Sequence, residues 1–186
     1  MKKLFSILAA LAVAVSVTAS AQRAGEFNLS NNEDWSHSGV FSELGVGVTL
    51  GDLDADLGLS LGLGYRYHIN NGFCWDIAKV TYYVPCVTTA FAESSSMRFI
   101  SAIRYNSAPL LGDMPLYATF GVGYQLNVDD TDRWKGFAYE IGLGVNMSRS
   151  CSLGLVWEGN VAHYDTYYGS ENANFGILGA KLGVQF

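Results

Sequence analysis

The chain has 186 residues, of which 49% are hydrophobic and 13% aromatic, with 21 glycines, 3 prolines and a formal net charge of −6. Half apolar content excludes a disordered polyanion, and an acidic chain without a basic patch excludes nucleic acid as its partner. The length suits one domain.

The chain opens with Lys2 and Lys3, an apolar run from 4 to 17, and the small residues Thr18-Ala19-Ser20-Ala21. This layout predicts a cleavable secretory signal peptide over 1–21. The apolar run is shorter than a membrane helix needs and has no charged stop-transfer flank. No cysteine follows the cleavage site, so a lipoprotein anchor is not expected. Cleavage after Ala21 removes two lysines and no acid, which takes the charge from −6 to −8. Residues 22–39 are polar and without periodicity.

From residue 40 onward the apolar residues alternate. Strands are predicted over 40–50, 57–68, 73–84, 96–105, 116–126, 136–147, 151–163 and 174–186. The second is the clearest: Leu57, Leu59, Leu61, Leu63, Tyr65 and Tyr67 alternate with Gly58, Ser60, Gly62, Gly64, Arg66 and His68. The third is imperfect and predicts a bulge near Lys79. The eighth ends on Phe186, with Val184, Leu182, Ala180 and Leu178 on the same face.

Segments of ten to thirteen residues fit tilted membrane strands. One face is continuously apolar, while the other carries Gly, Ser, Arg, Glu and Asn, the polarity of a barrel with lipid outside and a polar interior. The expected fold is therefore all-β: an eight-stranded antiparallel up-and-down transmembrane β-barrel over 40–186. Closure would also satisfy every backbone amide in a bilayer. Short turns at 69–72, 106–115 and 148–150 are expected on the periplasmic side, with 22–39 as a periplasmic lead-in. The links at 51–56, 85–95, 127–135 and 164–173 are expected outside, made acidic by Asp52, Asp54, Asp56, Asp129, Asp130, Asp132, Asp165 and Glu171. Aromatics fall at two levels, with Tyr65, Tyr67, Phe73, Trp75, Tyr105 and Phe186 in one girdle. Tyr82, Tyr83, Tyr124, Trp134, Phe137, Tyr139, Tyr164 and Phe175 fall in the other.

In this pattern and its terminal aromatic, residues 22–186 resemble the small eight-stranded outer-membrane barrels of the outer-membrane protein A and X type and the wider porin-family "outer membrane beta-barrel protein" group. The resemblance implies residence in the bacterial outer membrane, surrounded by lipid and lipopolysaccharide. It also implies insertion by the barrel-assembly machinery, with Phe186 part of the signal. Larger A-type relatives carry a periplasmic peptidoglycan-binding domain after the barrel; this chain stops at its last strand, so that activity is not expected. A monomer is expected.

Inward charges at comparable depth run around the wall as Lys181, Glu43, Arg66, Asp76 and Arg104, with alternating signs. Two readings fit: a structural ion-pair network filling the barrel, or an electrostatic gate on a narrow porin-like conduit. A wide channel is not expected from eight strands. Glu140 and Glu158 sit inward on adjacent strands, with Arg98 the nearest counter-charge, and are expected to meet water in a wet lumen rather than share a proton or bind a cation.

Cys74, Cys86 and Cys151 are expected to stay free. The first two flank one extended strand and would lie about 40 Å apart, against the roughly 7 Å a disulfide allows. Cys151 falls far around the barrel. A catalytic search finds His37 in the lead-in, His68 at a turn and His163 at the outer rim, with Ser170 as the only local hydroxyl and no recognisable motif. No metal-ligand spacing or phosphate loop is present. The sequence reading is thus a non-enzymatic barrel with no cofactor. It has a structural or surface-interaction role, acidic outer loops rich in Tyr164, Tyr167 and Tyr168, and a possible extracellular ligand. A lipid A-modifying enzyme is the remaining alternative.

Overall fold

Successive side chains of a strand point to opposite faces, so the alternation fixes two walls before it fixes any contact. The computed structural model describes residues 38–51, 57–70, 72–86, 95–111, 114–128, 135–166 and 169–186. Residues 1–37, where the expected signal peptide and lead-in fall, lie outside them, as do the side chains at 109–111, 164–171 and 173. Eight strands form: β1 (Gly39–Gly51), β2 (Leu57–His68), β3 (Phe73–Pro85), β4 (Ser96–Leu111), β5 (Met114–Asn127), β6 (Lys135–Asn146), β7 (Cys151–Thr166) and β8 (Gly169–Gln185). Each pairs antiparallel with its chain neighbour, and β1 pairs with β8 to close the barrel.

Two hairpins run further than the alternation predicts. The β4–β5 ladder continues to Leu111↔Met114, and the β7–β8 ladder to Thr166↔Gly169. The segments 106–115 and 164–173, expected as turn and link, are mostly strand. Beyond the apolar band both faces meet water, so the sequence loses its alternation while the backbone ladder continues.

The walls have inverted polarity. Outside, Leu143 is 64% exposed, Leu155 65% and Phe120 57%, and Val46, Leu63, Phe99, Ile103, Ile141 and Leu178 are exposed with them. Inside, Arg98, Lys79, Asp76, Glu140 and Glu158 are buried. A continuous apolar exterior of this kind is matched by lipid rather than by water. The buried apolar cluster is small, formed by Ile100, Ala102 and Ala138 on the inner face of β4 and β6. Tyr83, expected in the outer girdle, instead turns inward: it is buried, its ring covers Gly58, and its hydroxyl lies 3.3 Å from Thr49 Oγ1. Phe175 pairs with the buried Asn160 and so also falls on the inner parity.

The reason for Tyr83 lies five to six residues back along the chain. The β3 pairing shifts with β2 between Tyr65 and Arg66, and with β4 between Asp76 and Lys79. Ile77 and Ala78 are both exposed there, so one residue is inserted into the strand. Before the bulge Cys74 and Asp76 face inward; after it Lys79, Thr81 and Tyr83 do. On the opposing strand Ser101 takes up the disturbed backbone: its hydroxyl accepts from Trp75 Nε1 at 2.8 Å and donates to the Asp76 carbonyl at 3.4 Å. A hydroxyl in that place supplies a partner where a bilayer offers none.

Deleting Ile77 removes the inserted residue: Ala78 would then continue both ladders without a break, and Lys79, Thr81 and Tyr83 would stay on the inner wall in regular alternation with Asp76. The urea midpoint of the barrel refolded in detergent is expected to stay close to that of the wild type. A loss of about 3 kcal/mol or more, the cost of a lysine facing lipid with its carboxylates left unpaired, would show that the inserted residue does not set the faces of β3.

Candidate functional site

Strand parity decides which charges enter the lumen. Glu43 of β1, Arg66 of β2, Asp76 of β3, Arg98 and Arg104 of β4, Glu140 of β6, Glu158 of β7 and Lys181 of β8 all lie on the inner wall. All are buried except Glu43, whose side chain is 14% exposed. The bulge adds a ninth, Lys79, which the sequence reading did not place among the inward charges. A signal for it was present: Val80, Tyr82 and Val84 after Lys79 form an apolar parity opposite to that of Lys79 and Thr81.

At mid-barrel the charges form one connected set. Lys181 Nζ lies 2.5 Å from Glu158 Oε1, 3.4 Å from Glu140 Oε2 and 3.6 Å from Glu43 Oε2. Lys79 Nζ donates to both carboxylate oxygens of Glu140 at 2.5 Å and to Glu43 Oε2 at 3.3 Å. Arg98 Nη1 donates to Glu158 Oε2 at 2.5 Å, while its Nε donates to Gln125 Oε1 at 2.9 Å. With its amide oxygen toward the guanidinium, Asn160 accepts from Nη2 at 3.1 Å. Three carboxylates thus face three cations, and the set is neutral.

This corrects the reading of Glu140 and Glu158. They pair across β6 and β7, but neither depends on water for its counter-charge. Lys181 bridges them, Lys79 holds one and Arg98 the other. The physical cause is reach. A lysine stem spans several ångströms of lumen, and the glycines facing the interior at Gly142, Gly154 and Gly179 leave room for it.

Toward the end that carries the short turns, Arg66 and Asp76 form a separate bidentate pair, Nε to Oδ1 at 2.6 Å and Nη2 to Oδ2 at 2.9 Å. Arg66 also donates to Gln185 Oε1 at 3.1 Å and lies 4.6 Å above the Phe41 ring. Arg104 departs from the expected alternation. It donates to the side-chain oxygens of Asn106, at 3.2 Å, and of Asn146, and lies 3.6 Å above the Tyr117 ring.

Other candidates stand apart from this set. Phe186 caps the β1–β8 seam through its amide, which donates to the Val40 carbonyl at 2.8 Å, and its ring is exposed on the outer wall. His68 Nδ1 lies 3.8 Å from Cys74 Sγ, and His163 Nδ1 is 2.8 Å from Asn172 Oδ1 on the outer wall. His37 and the side chain of Ser170 lie outside the described residues. Among the described residues no group of three His, Cys, Asp or Glu side chains could hold a metal ion. No disulfide joins Cys74, Cys86 and Cys151, the first buried and the second exposed.

By sequence the chain matches no protein-family model and no curated protein. Solved structures with its architecture exist. Neisserial surface protein A (NspA) superposes with a TM-score of 0.59 at 14% identity, covering 81% of this chain and 98% of that one. The outer membrane enzyme PagL superposes with a TM-score of 0.53 at 17% identity, covering 78% and 99%. Identities this low carry the fold and nothing finer. The chain has the fold of the small eight-stranded outer-membrane β-barrels.

Proposed function

We propose that the protein is an integral barrel of the bacterial outer membrane with a structural or surface-interaction role, its lumen closed by charge rather than open to solutes. The observation that carries this reading is the neutral set of Glu43, Lys79, Arg98, Glu140, Glu158 and Lys181, buried across the middle of the barrel. Eight strands leave an interior just wide enough for side chains, and here those side chains are tied to one another. In this reading residues 1–21 are removed on export, 22–39 lead into the barrel from the periplasm, and Phe186 is read during insertion.

The termini of the barrel and the short turns then face the periplasm. The acidic links with Asp52, Asp54, Asp56, Asp129, Asp130 and Asp132 face outward, where they would meet lipopolysaccharide and any extracellular ligand. PagL is described as an outer membrane enzyme, which keeps an enzymatic reading open, with lipid A modification as the alternative. His163 offers that alternative an imidazole held by an amide, an arrangement that orients the ring without supplying a nucleophile.

Heat-modifiability tests the membrane reading. The refolded chain is expected to migrate differently before and after boiling on a cold SDS gel, and to need detergent for solubility. Detergent-free soluble behaviour with a single band would overturn it.

The closed lumen has two further consequences. In planar bilayers the wild-type protein is expected to show no steady openings, and Lys79→Ala with Lys181→Ala to produce them. Steady wild-type openings abolished by Glu43→Ala or Arg66→Ala would establish the gated conduit instead. Lys181→Met alone leaves three carboxylates short of a partner and is expected to cost about 3–5 kcal/mol of stability in urea unfolding. A loss under about 1 kcal/mol would mean that the network contributes little to the fold.

A further inference from the structure

The interior charges of the described residues do not sum to zero. Among the described residues the mid-barrel set balances, three against three, and Arg66 is matched by Asp76. Arg104 is left over. It is 4% exposed, and no carboxylate among the described residues forms an ion pair with it. Its bonds to Asn106 and Asn146 use two of the five N–H donors of a guanidinium. The Tyr117 ring beneath it offsets part of the desolvation, but a quadrupole does not neutralise a charge. The two acids nearest in the lumen are already engaged, Asp76 by Arg66 and Glu43 by Lys79 and Lys181.

The surroundings of Arg104 are those of a receptor. A narrow cleft open to solvent at the turn end, with about 20 Å³ of room inside it, is lined by Arg66, Arg104, Asn106, Asn146, Ser148 and Gln185, with Glu43 at its inner side. A second guanidinium, three side-chain amides and a hydroxyl therefore edge the same space. Both Asn106 and Asn146 turn their oxygens to Arg104, and Asn146 spends its Nδ2 on Asn106. The amides hold the guanidinium in place and leave its remaining edge to the cleft. Buried cations demand a compensating negative charge, and a planar fork of N–H donors is the group best shaped for a carboxylate or phosphate.

We propose that the turn-end mouth of the lumen is a binding site for a small oxyanion, anchored on Arg104, with Arg66 adding positive potential. Phosphate and carboxylate share the chemistry that the site would recognise, two oxygens presented to one guanidinium edge. The site does not require the lumen to conduct, since the balanced set above it closes the far side of the cleft.

Titration calorimetry of the refolded chain in detergent, at fixed ionic strength, tests this with sodium phosphate, sodium acetate and sodium chloride as probes. Saturable binding of phosphate, of acetate or of both is expected, and whichever binds assigns the ligand class. Arg104→Gln should weaken it about tenfold or more. Asn146→Asp should do the same by a different route, placing a carboxylate of the chain itself against the guanidinium. It should also raise the thermal midpoint, so a folded variant is available even if Arg104→Gln folds poorly. No saturable heat in the wild type, equal binding by the wild type and Asn146→Asp, or chloride displacing phosphate at equal concentration would each overturn the assignment.

Discussion

Everything in this barrel follows from having its apolar wall on the outside. A soluble domain drives folding by gathering large apolar side chains inward; here Leu143, Leu155 and Phe120 are given to the exterior. The interior must then be assembled from what remains, which is glycine, small polar residues and charge. Charge inside a narrow tube is tolerable only when each group finds an opposite within a few ångströms. The lumen is accordingly organised as a neutral set at its middle, a bidentate pair toward the turn end, and one guanidinium held by amides below them. The positions of Lys79 and Lys181 matter most, because each contacts two or three carboxylates and no other cation among the described residues reaches Glu140.

Most of the architecture could be read from the chain because a period of two is a local signal. The eight strands, their faces and the terminal Phe186 needed only near neighbours in sequence. What could not be read depends on events that cross the barrel. The broken alternation of the third strand shows a bulge near Lys79 but not which residue is inserted, and only the insertion at Ile77–Ala78 turns Lys79 inward. The same insertion misplaced Tyr83. The partners of Glu140 and Glu158 were invisible for another reason: their counter-ions come from β3, β4 and β8, and which side chains meet across a lumen depends on strand tilt and stagger. The extra length of β7 and β8, 164–166 and 169–173, was hidden because polar residues such as Asn172 pair as readily as apolar ones once the ladder has left the lipid.

The mid-barrel set also bears on uniqueness of fold. A buried ion pair is seldom more stabilising than a hydrophobic one of similar size, so stability alone does not explain why six charges are placed there. Register does. If β6 slipped by one residue against its neighbours, Glu140 would turn outward; the same slip would expel Glu158 from β7 or Lys181 from β8. A charge on the lipid face costs up to about 2–4 kcal/mol near the bilayer centre, and the partners it abandons lose their compensation as well. Flat, glycine-rich strands such as β2 and β6 carry little else to fix their alignment, since Gly62, Gly64, Gly142 and Gly144 present no side chain to lock.

Neutrality has a consequence for traffic as well as for register. An ion entering a narrow lumen must exchange its hydration for protein groups, and a ring of one sign would repay that exchange. A balanced set, with every carboxylate already engaged at 2.5–3.6 Å, offers a passing cation or anion only competition from groups tethered in place. The same network that holds the strands in register therefore makes the centre of the barrel a poor path for ions. Its one departure from balance, Arg104, lies at the mouth rather than across the path, where an anion can arrive and leave without crossing the barrel.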